Sequence, residues 1–190
     1  MTSIHINEFR ESSEDEVLQY WAERESRALK DIKYERGHIL KYLPLDIQWF
    51  NVTIQIEQIK RFYVINAIPW TILSEDTKLL RRTAENIVCG KFEQNTNPQI
   101  KSACEKIKGM MSTKFRVAEF KPILIAQSTD SKTVVDDPTL IDGNHSATVL
   151  YSHLFVNNIP SMIEGDVMTL DSFIGLSKTM ASCRWMPNPT

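Results

Sequence analysis

The spacing of hydrophobic positions divides the chain into helical and extended stretches. An interrupted apolar stripe at helical spacing runs through residues 12–41: Val17, Leu18, Trp21, Ala28, Leu29 and Ile32. Ser12 or Ser13 can cap this stretch ahead of three acidic residues, so the pattern predicts one long, exposed, charged helix over 12–41. From Trp49 to Glu57 apolar and polar residues alternate, which predicts a half-buried strand, and the dense apolar run 62–68 predicts another.

The remaining pattern alternates between the same two periods. It predicts, in order, a helix from Ser74 to Gly90, a helix over 99–110, a strand or strand pair over 115–126, a short strand over 159–163 and a helix over 169–176. We therefore expect an α/β or α+β fold with a mixed sheet. The predicted organisation is an N-terminal helical extension over 1–48, a core domain over 49–180 and a C-terminal tail over 181–190, loose from Pro187 onwards.

The stretch 138–155 is the most informative of the sequence. A short apolar run stops at Asp142 and Gly143, and apolar residues at helical spacing follow, so the pattern predicts a strand, a sharp turn and a helix. Asp142, Asn144, His145 and Ser146 would then lie together at a helix N-terminus, where free N–H groups and the helix dipole bind anions such as phosphate. An ordinary turn capped by Asp142 or Asn144 is the alternative.

Composition narrows the classes of function. A formal net charge of −2 gives no overall attraction to nucleic acid or to an anionic membrane, and no apolar run is long enough to span a bilayer. Carboxylates outnumber basic side chains in residues 130–171, which also argues against DNA binding. Three scattered cysteines and a start without a basic or apolar leader favour a cytoplasmic protein.

Three segments in this order resemble the core of the ParB/sulfiredoxin-like superfamily. They are Lys121-Pro-Ile-Leu-Ile-Ala, then Thr139-Leu-Ile-Asp-Gly-Asn-His-Ser-Ala, then Asn158-Ile-Pro-Ser-Met-Ile. Members of that superfamily bind nucleotide phosphates at a Gly-x-His-Arg turn, and they include a nucleotide hydrolase, a free serine kinase and proposed nucleases. The resemblance covers residues 115–165 well, and residues 1–48 match no pattern of the family.

The resemblance implies a nucleotide site at the 142–146 turn. Gly143, Asn144, His145 and Ser146 would contact phosphates, Asp142 and His145 would be catalytic, and Asp142 would hold Mg²⁺ carried by a nucleoside triphosphate. Asp142 and His145 can also be purely structural residues: Asp142 would then be a turn residue, and the His145 ring would hydrogen-bond across the turn. His153 is read as a core or interface histidine.

The sequence departs from the family pattern at two points. Ser146 stands where the family commonly has Arg, so a phosphate clamp would require Lys121, Arg116 or another basic side chain. The segment 60–66 also lacks the carboxylate that kinase-like members carry there, and Glu57 lies slightly early.

The expected function is therefore a nucleotide-dependent phosphotransferase or nucleotide hydrolase. The alternative is a noncatalytic binding or regulatory protein that contacts a partner protein, or a second copy of itself, through helix 12–41 and the aromatic-rich region 49–70. A ParB-like nuclease or DNA-binding protein is a third and less favoured expectation.

Overall fold

A mixed six-stranded sheet organises the fold. The computed structural model describes residues 6–130 and 133–187. From one edge to the other, the strands are β1 (Ile6–Ser12), β2 (Gln48–Gln55), β8 (Thr169–Ser177), β5 (Ile123–Gln127), β6 (Thr139–Asp142) and β3 (Tyr63–Val64). Most neighbours are antiparallel, whereas β8 with β5 and β6 with β3 are parallel. The predicted α/β or α+β class with a mixed sheet is confirmed.

Helices and short turns connect these strands. The helices are α1 (Glu14–Arg24), α2 (Leu29–Leu40), α3 (Trp70–Leu73), α4 (Leu80–Val88), α5 (Pro98–Met111) and α6 (Asn144–Tyr151). Two-residue strands β4 (Phe115–Arg116) and β7 (Ile163–Glu164) pair in parallel away from the main sheet. Single 3-10 turns lie at Ile56–Arg61, Val117–Glu119, Pro160–Met162 and Met180–Ser182, and a π-helical turn at Ser152–Val156 extends α6.

The prediction of one helix over 12–41 is wrong, because the chain breaks between α1 and α2. Ser13, one of the two predicted cap residues, caps α1, and it does so in a reciprocal capping box with Glu16. The helix ends at Arg24, and Ser26 adopts a left-handed φ of 51°. No apolar side chain occurs at 23–27, so nothing packs to hold those residues in a continuous helix.

The prediction of a helix over 169–176 is also wrong. These residues form β8, which lies between β2 and β5 and is buried over most of its length. A strand covered on both faces shows a near-continuous apolar run rather than alternation, and such a run does not separate a strand from a helix.

Several other elements differ in extent from the prediction, because turns take the place of part of the predicted strand or helix. The run 62–68 forms a strand only at Tyr63–Val64, and the segment 159–163 is mainly a 3-10 turn. The helix expected from Ser74 begins at Leu80, because Glu75, Asp76 and Lys78 take positive φ values. The helix predicted over 99–110 is confirmed, with Asn97 as its cap, and the predicted pair over 115–126 corresponds to β4 and β5.

The N-terminal segment packs into the same core as the rest of the chain. Strand β1 pairs with β2, and α1 buries Val17, Leu18 and Trp21 completely or nearly so. The Tyr20 hydroxyl donates to the Lys121 carbonyl (2.9 Å), and its ring packs against Phe173. These contacts fix the C-terminal end of α1 beside the end of β6.

The C-terminal tail was predicted as a segment separate from the core over 181–190, loose from Pro187 to Thr190. Trp185 and Met186 are instead buried, at 5% and 4% exposure, and the Trp185 indole donates to the Ile39 carbonyl (2.9 Å). Residues 188–190 lie outside the described residues.

Candidate functional site: the cleft at the 142–146 turn

The predicted strand, turn and helix are confirmed at residues 139–151. Strand β6 ends at Asp142, Gly143 has a φ of +86°, and α6 begins at Asn144. A side chain at 143 would be strained by this φ, and its Cβ would lie 2.9 Å from the Phe120 ring. Gly143 is the N-cap and no side chain caps α6, so the alternative of a cap from Asp142 or Asn144 is wrong.

Asn144 holds the turn in place. Its side chain is 5% exposed. The amide oxygen accepts a hydrogen bond from the Ile65 N–H (3.3 Å), and the amide nitrogen donates to the Leu140 carbonyl (3.3 Å). The side chain of Asn144 is thus committed to protein partners, and only its backbone N–H remains as a contribution to ligand binding.

His145 lies at the edge of the cleft against Trp70. The two ring centroids are 4.8 Å apart and the rings are nearly perpendicular, at 74°. Burial lowers the pKa of His145 to about 4, and the positive charges of Lys106 and Arg24 act in the same direction. The imidazole is therefore neutral near pH 7 and can donate one hydrogen bond and accept another.

Asp142 and Ser146 share a partner that lies far away in the sequence. The Arg24 guanidinium donates from Nη1 to Asp142 Oδ2 (3.0 Å) and from Nη2 to Ser146 Oγ (3.4 Å). Both side chains of the ion pair keep partial access to solvent, 28% for Arg24 and 23% for Asp142. Sequence reasoning missed Arg24, because it belongs to a segment that matches no family pattern.

These residues form one end of a cleft with a volume of about 670 Å³. Arg24, Lys106 and the 142–146 turn make its polar end. The apolar wall of the cleft consists of Ile39, Ile65, Ile68, Trp70 and Trp185, and Trp70 lies directly beside His145 of the turn. This volume lies within the range typical of small-molecule sites.

Other residues singled out in the sequence lie elsewhere. Lys121 places its Nζ 4.0 Å from the centre of the Phe173 ring, and Arg116 pairs with Glu119 and Glu164. Glu57 pairs with Lys60. His153 is a core residue, as predicted: it is 1% exposed, and neither ring nitrogen has a hydrogen-bond partner.

The carboxylates of the cleft are Asp142 and Glu25. Within residues 6–130 and 133–187, no three His, Cys, Asp or Glu side chains converge as a metal site. A Mg²⁺ ion that arrives on nucleotide phosphates requires only one or two protein carboxylates. The chemistry of these two side chains fits an ion of that kind.

Comparisons with known proteins gave no relative to guide the assignment. No protein-family model, curated protein or solved structure matches the chain significantly. None of the helices in the described part of the chain has the length and apolar character needed to cross a membrane. The functional argument therefore depends on the geometry of the cleft.

Proposed function

We propose that the protein is a nucleotide-dependent enzyme, a phosphotransferase or nucleotide hydrolase, which binds the phosphates of its substrate at the 142–146 turn. One observation carries the proposal: a helix N-terminus that no side chain caps, a cationic side chain and a set of apolar and aromatic residues line the same cleft. A nucleotide has the matching halves, since its phosphates are anionic and its base is flat and largely apolar.

The phosphate end is supported by two independent donors. The first-turn N–H groups of α6 point out of the helix, and the dipole favours negative charge there. Lys106 on α5 lines the same cleft. Among the described residues it has no ion-pair partner within the salt-bridge distance, so its ammonium is free to meet a phosphate.

The base would lie against the apolar wall. Ile68 is 54% exposed at the rim, whereas Trp70 and Trp185 reach the cleft with only 6% and 5% of their surface exposed. Aromatic and aliphatic contacts of this kind accept any base, so the wall supports a nucleotide without selecting one.

His145 and Asp142 are the proposed catalytic residues. The neutral imidazole would donate a hydrogen bond to a phosphate oxygen as charge develops during transfer. Asp142, with Glu25 nearby, would hold Mg²⁺ carried by the triphosphate, and the ion would supply charge neutralisation at the phosphates.

Two further expectations belong to this proposal. Membership of the ParB/sulfiredoxin-like superfamily is supported by the order of β5, β6, the glycine turn and α6. A cytoplasmic location is supported by Cys89, Cys104 and Cys183, which are free thiols.

A noncatalytic binding protein is the second candidate. Its support is the exposure of Tyr34 (88%) and Leu45 (106%), which offer apolar surface to a partner protein or to a second copy. The aromatic region 49–70 does not add to this surface, since four of its five rings are buried: Trp49, Phe50, Phe62 and Trp70. A nuclease is not favoured by any feature of the cleft.

Thermal shift with ATP, CTP and GTP, each with and without Mg²⁺, tests the proposal. We expect at least one nucleotide to raise the melting temperature, because a ligand that binds only the folded state stabilises it. Lys106→Gln should reduce this shift. Lys101→Gln is the matched control, since Lys101 lies on the same helix, pairs with Glu105 and does not line the cleft.

Phosphate release then separates the two candidates. Hydrolysis or transfer of the nucleotide that binds, abolished by His145→Ala, supports the enzyme. Binding without turnover favours the noncatalytic protein. The absence of any shift at millimolar nucleotide would refute a nucleotide site altogether.

A further inference from the structure

Arg24 reaches the turn from a part of the chain that the family resemblance does not cover. It lies in the last turn of α1, which the Ser13 capping box and the buried face of Val17, Leu18 and Trp21 hold rigidly. Its guanidinium arrives beside Ser146, the position where the resemblance would place an arginine. Arg24, in the segment 1–48, therefore supplies a guanidinium group to the 142–146 turn.

The guanidinium is only partly used by its present partners. Arginine has five N–H donors arranged to contact a carboxylate or a phosphate through two parallel hydrogen bonds. Here Nη1 contacts one oxygen of Asp142, Nη2 makes a longer contact with the Ser146 hydroxyl, and the Tyr20 hydroxyl is a further neighbour of the guanidinium. The pair faces the cleft and stays partly exposed, so an incoming anion can reach both members.

Asp142 occupies the position that a phosphate oxygen would take on Arg24. A carboxylate and a phosphate compete for the same two donors, and the doubly charged group with more acceptor oxygens makes the stronger contact. The carboxylate would then be released on the side of the cleft where Mg²⁺ must meet the phosphates.

We propose that Arg24 is the phosphate-binding arginine of this cleft and that Asp142 is its exchangeable counter-ion. The N-terminal segment therefore completes the binding site instead of merely covering the sheet. This inference depends on the proposed function to the extent that the cleft must take a phosphate ligand.

Titration calorimetry with inorganic tripolyphosphate, and with the nucleotide that gives the largest thermal shift, tests the exchange in the absence of Mg²⁺. Arg24→Gln should weaken binding about 10-fold or more, because a charge-assisted hydrogen bond is lost. Arg24→Lys should fall between that variant and the wild type, since it keeps the charge and loses the fork. Arg81→Gln is the matched control: Arg81 lies on α4, pairs with Glu85 and does not line the cleft.

The second arm removes the counter-ion. Asp142→Asn should tighten binding of tripolyphosphate by about fivefold, because the competing carboxylate is gone. The gain should disappear in the Arg24→Gln background, as a double-mutant cycle requires of two coupled groups. If the ion pair is purely structural, both single variants should have a lower melting temperature, and Asp142→Asn should bind tripolyphosphate no more tightly than the wild type.

The outcomes separate this inference from the proposed function. If the wild-type protein binds neither probe, both fail. If the wild type binds and Lys106→Gln weakens binding, while Arg24→Gln binds as well as the wild type, the nucleotide site stands and the role of Arg24 is refuted. Circular dichroism and the melting temperature of each variant confirm that affinities are compared between folded proteins.

Discussion

The Trp70 indole and the His145 imidazole pack edge to face, with their ring centroids 4.8 Å apart, and this contact excludes solvent from one side of the histidine ring. Burial is the main cause of the low pKa of His145, about 4. At neutral pH the ring therefore acts as a neutral donor and acceptor, and it becomes a cation only in acid.

We expect acid to destabilise the protein through His145. Its pKa lies near 6.5 in the unfolded chain and about 4 in the folded one, so between these values the unfolded state binds more protons. The free energy of unfolding should fall as pH drops through that window, by about 3 kcal/mol for this residue. Urea denaturation of the wild type and of His145→Asn, over the same pH series, measures it.

The comparison isolates His145 from other acid effects. His153 is also buried with a lowered pKa, but it is present in both proteins and cancels. The stability difference between wild type and variant should shrink towards acid pH. A difference that stays constant across the series would contradict the assignment.

Lys106→Gln should raise the pKa of His145. The lysine ammonium disfavours a second positive charge nearby, and it is the largest charge effect on the imidazole. A titration followed by NMR of the ring protons measures the shift, which should diminish at high salt. Lys101→Gln should leave the titration unchanged, and an equal shift in both variants would show that the effect is not local.

Asp136→Asn should stabilise the protein at neutral pH. Burial raises the pKa of Asp136 from 3.8 to about 6, so the ionised carboxylate disfavours the folded state above that value. Asp136 therefore adds to the free energy of unfolding only at low pH, and this contribution is lost as pH rises through about 6. An asparagine oxygen can still accept the hydrogen bond from the Gln127 N–H (2.7 Å).

The expected gain for Asp136→Asn is about 1–2 kcal/mol near neutral pH and close to zero near pH 4. Chemical denaturation at the two pH values measures it. Asp166→Asn is the control, because hydrogen bonds from Thr169 and from the Met168 N–H hold the pKa of Asp166 below its usual value, so that change should give no gain. Equal destabilisation by Asp136→Asn at both pH values would rule the prediction out.

Gly143→Ala should lower the free energy of unfolding by about 1–3 kcal/mol. The left-handed φ and the close approach of the Phe120 ring both oppose a Cβ at this position. Gly109→Ala is the matched comparison, since a Cβ there meets nothing and α5 should gain about 0.5–1 kcal/mol. Urea denaturation of the two variants should show opposite signs, and a stable Gly143→Ala protein would show that the turn tolerates a side chain.

The 142–146 turn could be predicted because its causes are local. An apolar run that stops at Asp142, a glycine at 143 and helical spacing after it all lie within a dozen residues. The capping box at Ser13 and the helix over 98–111 were predictable for the same reason.

Two features could not be predicted because their causes are remote. The residues of β8 carry apolar side chains that suit either period, and only their place between β2 and β5 decides for a strand. Arg24 and Asp142 are 118 positions apart, and no local pattern connects them. The cation of the site therefore emerged only from the packing of α1 on the sheet.

The position of β8 in the sheet has a consequence for folding during synthesis of the chain. Residues 169–177 leave the ribosome late, yet they form the strand that joins β2 to β5. Until they insert, the N-terminal β1, α1 and β2 have no shared partner strand with β5 and β6, and loop-closure entropy opposes their association. We therefore expect Arg24 and Asp142 to pair stably only once β8 has been synthesised and has joined the two halves of the sheet.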